Sequence, residues 1–109
     1  MSLRNLPTDA AVPLASLVEA HPVQVSSMAL AGGANVGITL LAFGDGEGVR
    51  AEEYYGDTLY YLVEGKAVIA LSNCSVPICA GEVFMVPAYV MHDVEADGPF
   101  KVLQITVPD

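Results

Sequence analysis

The chain is short of positive charge, of histidine and of aromatic breadth. Of 109 residues only four are Lys or Arg, two are His and none is Trp. Against 13 acidic residues this leaves a formal charge of −9. Nucleic acid and anionic membrane surfaces both demand a cationic footprint, so neither is expected as a partner. Two cysteines, Cys74 and Cys79, are separated by four residues rather than the two of a usual zinc pair, and no further ligands follow them. Free thiols near a hairpin in a reducing compartment are the expectation. Long apolar runs are also missing. The cleanest, Ile38 to Phe43, has strand length and falls far short of the ~20 residues a spanning helix needs. Residues 1–5, Met-Ser-Leu-Arg-Asn, carry no apolar export core, so a cytoplasmic location is expected.

What is abundant is apolar residues, at 53% of the chain. A chain of this length forms one domain and buries roughly 65% of its unfolded surface without a disulfide or structural metal. The excess implies apolar residues on an outer face as well as inside, buried between two copies in a homodimer.

The hydropathy pattern is that of short strands. Strands are expected at Val23 to Leu30, Val36 to Phe43, Thr58 to Val63, Lys66 to Leu71, Val83 to Val86, Val90 to Val94 and Phe100 to Val107. Gly44-Asp45-Gly46-Glu47-Gly48 reads as a connection, and Ser72-Asn73 as a tight hairpin turn. Only Leu14 to Ala20 looks helical, opened by Pro13 and stopped by Pro22, with His21 at its end near the helix dipole. The division expected is an N-terminal segment with a short helix at 1–22 and a single barrel at 23–109. Eight to ten short strands argue for an all-β closed barrel or jelly roll, which leaves few exposed edges.

Between Gly46 and Ala96 the spacing becomes specific. Gly46 is followed after five residues by Glu52-Glu53-Tyr54, then Thr58 and Gly65; Gly81 is followed after five by Pro87-Ala88-Tyr89, then His92 and Ala96. These intervals resemble the two motifs of a small single-domain cupin of the RmlC-like barrel type, and more narrowly a subgroup of short bacterial cupins without assigned function. The resemblance implies a cupin-type double-stranded β-helix. It also implies a metal-optional container: three of the four ligand positions hold Glu52, Tyr54 and Thr58, leaving His92. No metal is therefore assigned. No cofactor is obligatory, and a divalent metal is the minor alternative, with His92 and Glu52 as its two good donors.

Alternate strand residues share a face, so Glu52, Tyr54, Thr58 and Tyr60 are expected to line one pocket, with His92 entering from another strand. A bulge after Tyr54 would turn Tyr60 outward. Glu52 and His92 are expected to pair as carboxylate and imidazolium. Four of five tyrosines, Tyr54, Tyr55, Tyr60 and Tyr61, lie within eight residues. They form either a wall for a planar or phenolic ligand or ordinary core and dimer contacts. The function expected is the binding of a small organic molecule at Glu52, Tyr54, Thr58, Tyr60 and His92. The alternative is a metal-dependent dioxygenase, isomerase or decarboxylase using His92 and Glu52. A third reading is an assembly module with a vestigial pocket. Whether the chain is an enzyme stays open at this stage.

Overall fold

The computed structural model describes residues 2–33 and 35–108. Nine strands follow a 3-10 turn at Leu14–Leu17: β1 Val25–Ala31, β2 Gly37–Phe43, β3 Gly48–Glu52, β4 Gly56–Glu64, β5 Lys66–Ala70, β6 Ser75–Cys79, β7 Val83–Val86, β8 His92–Ala96 and β9 Phe100–Pro108. They form two antiparallel sheets, ordered β1-β2-β9-β4-β7 and β3-β8-β5-β6. The jelly-roll architecture expected from the strand spacing is what the chain adopts. No helix among the described residues is long and apolar enough to cross a membrane.

Alternation along the strands sets the inside of the barrel. In β4, Thr58, Tyr60 and Leu62 point inward while Leu59 faces out. The two sheets close over one core: Phe43, Tyr60, Leu62, Val86, Phe100 and Val102 from the larger meet Ala67, Ile69, Ile78 and Val94 from the smaller. Burying a side chain of this size contributes about 1.5–3 kcal/mol.

A second apolar cluster lies outside the larger sheet. Val18 packs with Leu30, Leu40 and Ala42, flanked by Leu14, Leu17 and Leu103. The backbone N–H of Arg4 donates to Leu30 O (2.8 Å), and Lys101 Nζ donates to Ala15 O (2.8 Å) while lying 3.4 Å from Glu64. The chain thus covers part of its own outer face. Part of the apolar excess assigned to a dimer contact is consumed this way.

Several local expectations shift. The helical stretch is one short 3-10 turn that ends at Leu17, so His21 has no helix end to cap and instead lies 3.9 Å from Glu19. The strand expected from Val90 begins only at His92. The β5–β6 hairpin turns at Ser72-Asn73 as expected, with the Leu71 N–H donating to Cys74 O, though Asn73 is not among the residues with positive φ. Gly65 does take one (+85°), because it must turn β4 into β5 with the Pro99 carbonyl 2.4 Å from where a Cβ would stand.

Candidate functional site

Strand register stacks the larger sheet's inward side chains in rows. Thr39 pairs with Gln104, and Gln104 with Tyr60, across β2, β9 and β4. One row over, Leu41, Val102 and Leu62 are neighbours; beyond them Phe43 pairs with Phe100, their rings stacked at 4.5 Å. Together with Val49 and Val94 from the opposite sheet, Val25 at the rim and Tyr54, these rows line a partly open cavity of about 180 Å³. Its walls are mainly aliphatic and aromatic, with Thr39, Tyr54, Tyr60 and Gln104 as the polar-bearing members. No Lys, Arg or carboxylate is among the lining residues.

Tyr60 and His92 are each 2% exposed and hydrogen-bonded to one another, Oη to Nε2, at 2.8 Å. His92 Nδ1 lies 3.0 Å from the Val90 carbonyl. A carbonyl only accepts, so Nδ1 carries the hydrogen; in the neutral ring the lone pair is on Nε2, and Tyr60 donates to it. Burial drives the Tyr60 hydroxyl far above the ordinary tyrosine pKa, with Tyr54 and Glu52 adding to the effect. The Tyr54 hydroxyl is also raised, first by burial and then by Glu52, against an opposing pull from the Gln104 amide. Both phenols therefore stay protonated at ordinary pH.

Local backbone geometry positions these groups. A bulge in the β3–β8 ladder puts Ala51 at φ +54°, with its N–H held by Asp93 Oδ1 at 2.7 Å, and Glu52 then pairs with His92 in register. Bulges re-aim the residues beside them, and here the outcome is a Glu52 carboxylate next to the Tyr54 hydroxyl. On the other side, the Tyr89 N–H donates to Tyr54 O (2.7 Å) and the Ala88 N–H to Asp57 Oδ1 (2.9 Å). Tyr89 itself sits at φ +64°, a conformation costing a residue with a Cβ roughly 1–2 kcal/mol.

The five residues expected from the sequence divide accordingly. Tyr54 and Tyr60 line the cavity, and parity holds through the turn so that Tyr60 points inward. Glu52 reaches the cavity through Tyr54, and His92 stands behind Tyr60. Thr58 is buried but outside the cavity lining, its hydroxyl 3.1 Å from that of Thr106. His92 accepts from Tyr60 and donates to the Val90 carbonyl, with no hydrogen bond to Glu52, so the expected carboxylate–imidazolium pair is replaced by a phenol–imidazole pair. Gln104 and Thr39 had not been singled out. The signal for Gln104 lay in the sequence: one amide sharing the parity of Phe100 and Val102, the inward-facing apolar residues of the same strand. Cys74 and Cys79 are exposed free thiols at and beside β6.

A cupin superfamily protein from Desulfitobacterium hafniense DCB-2 is similar over its whole length, with 48% identity, full coverage of both chains and a TM-score of 0.97. The chain belongs to the cupin superfamily. A conserved Streptococcus pyogenes protein of unknown function shares the fold at 21% identity, covering 100% of this chain and 96% of its own (TM-score 0.94). A cupin 2 conserved barrel domain protein from Leptotrichia buccalis shares it at 23% identity, covering 95% of this chain and 51% of its own (TM-score 0.85). No protein-family model matches the chain, and no curated protein matches it.

The cupin fold sometimes holds a divalent metal, and the residues of this cupin do not fit one. Among the described residues no three His, Cys, Asp or Glu side chains converge. The imidazole nitrogen that would ligate is already hydrogen-bonded to Tyr60. Thr58 is a neutral hydroxyl turned to Thr106, and Tyr54 ligates well only as a phenolate, which its raised pKa opposes.

Proposed function

We propose that this cupin binds a small organic molecule within its barrel, with no obligatory metal. One observation carries the reading: a partly open, mainly apolar pocket of about 180 Å³ whose lining includes the polar-bearing Tyr54, Tyr60 and Gln104. Small-molecule sites usually combine apolar walls with a few convergent polar groups. His92 holds Tyr60 from behind through their hydrogen bond, and the Glu52 charge lies near Tyr54. The rival metal-dependent reading lacks a third donor. Val49→Phe, which fills the cavity from the smaller sheet, provides the test. Ring-sized fragments should shift the NMR signals of Tyr54, Tyr60 and Gln104 in the native chain and not in this variant. Equal shifts in both, or none in the native chain, would refute the reading.

The same proposal includes a homodimer through the outer face of β9, β4 and β7. Register sets Leu59 beside Met85 and Ile105, and Tyr61 beside Val83; Val83 and Met85 are 60% and 52% exposed. Contiguous apolar surface of this kind supports burial against a second copy. The cytoplasm is the proposed location.

A further inference from the structure

Every polar side chain in the pocket wall is neutral. Thr39, Tyr54, Tyr60 and Gln104 are its polar-bearing members, and the rest of the wall is valine, leucine and phenylalanine. A carboxylate, phosphate or ammonium moved against such a wall loses hydration and meets no counter-charge, whereas a neutral group of the same shape loses far less. The formal charge of −9 on the chain adds to the penalty for anions before they reach the mouth.

The mouth has the same character. β1 and β3 are edge strands of their sheets, and among the described residues no ladder joins them to each other. Val25 from β1 and Val49 from β3 bring the lining to both sides of that seam, and Val25 is 43% exposed. Two aliphatic side chains thus flank the opening, and apolar surface sheds its water on passing them. Size sets the scale of the occupant. A dry cavity of about 150 Å³ with aliphatic and aromatic walls takes up benzene. At about 180 Å³ this pocket has room for one ring with a small substituent.

On the reading that the barrel is a binding site, we infer that its occupant is an uncharged, mainly apolar molecule of about one ring, admitted through the seam between β1 and β3. Charged metabolites of the same shape are rejected by the wall rather than by size.

The test is calorimetric or NMR titration of the full chain near neutral pH with two matched pairs, ethylbenzene against benzylammonium and nitrobenzene against benzoate. The members of each pair share a shape and differ in charge. The neutral member should bind at least about tenfold more tightly. From benzene to toluene the affinity should rise about fourfold, the gain from one buried CH₂. Val25→Lys sets a cation at the mouth, on an exposed position of an edge strand. It should raise benzoate affinity about fivefold and leave nitrobenzene unchanged. Charged members that bind as tightly as their neutral partners, or benzoate affinity unmoved by Val25→Lys, would overturn the uncharged assignment and leave the binding site standing. Failure of every probe, benzene included, overturns both.

Discussion

Replacing Tyr60 by Phe removes one hydroxyl from a closely packed ring and leaves the packing intact. The hydroxyl and His92 Nε2 are 2.8 Å apart and both side chains are buried, so the substitution strands the nitrogen lone pair away from water. An unsatisfied buried acceptor costs about 1–3 kcal/mol. No cavity larger than an oxygen atom forms, so the expected loss is about 2 kcal/mol. At roughly 4–8 °C per kcal/mol for a domain of this size, Tm should fall by about 10 °C. His92→Leu alone strands the hydroxyl from the other side and should cost a similar amount. Combined, Tyr60→Phe and His92→Leu leave neither partner orphaned, so the double variant should cost less than the sum by about 1–2 kcal/mol. Chemical denaturation of the four proteins measures the cycle. Nitrogen-15 spectra of the histidine ring should show the hydrogen on Nδ1 in the native chain. Additivity within about 0.5 kcal/mol, together with the hydrogen on Nε2, would refute the reasoning.

Alkaline pH should unfold the native protein progressively. Tyr60 and Tyr54 have folded pKa values above the ordinary 10.0, so their contribution is full below pH 10 and lost as pH rises toward the folded values. The slope is at most about 1.4 kcal/mol per pH unit per tyrosine; thermal scans should show a shallower decline in Tyr60→Phe. Gly65→Ala should cost at least about 2 kcal/mol, through its positive φ and the Pro99 carbonyl. Gly81→Ala, with φ +90° but open space around it, should cost about half as much in the same denaturation assay. Met85→Glu should convert a dimer to monomer in sedimentation velocity with little change in far-UV spectrum, and a native chain that sediments as a monomer would remove the dimer from the proposal.

Most of the barrel could be read from its apolar strand patterns: β4 and β9 bury one parity most deeply, while β2, covered on both faces, shows as the apolar run Ile38 to Phe43. Two strands escaped for different reasons. β3 opens on Gly48 inside a glycine-rich connection, and its alternation breaks at the Ala51 bulge, so no strand pattern survives in the sequence. β6 carries Pro77, which argues against a central strand; it is an edge strand, where the missing N–H costs no ladder bond on the open side. Within the site, motif intervals encode strand register, and the structure places Tyr54 and Tyr60 at the pocket with His92 hydrogen-bonded to Tyr60. Spacing says nothing of hydrogen-bond partners. Tyr60 and Glu52 compete for the same neighbourhood around His92, and only the bulge geometry decides that Tyr60 takes the imidazole while Glu52 turns to Tyr54.

The Tyr60–His92 bond also constrains the routes by which this lineage could change. Histidines introduced at positions 52 and 54 would find the remaining imidazole's lone pair engaged by a phenol that burial keeps protonated. Each substitution alone would place a polar ring in an apolar cup and gain no metal in return. Tyr60 would have to change first, and that step is itself destabilising. A single hydroxyl thus acts as a lock on the pocket's chemistry, making a metal site hard to build one residue at a time.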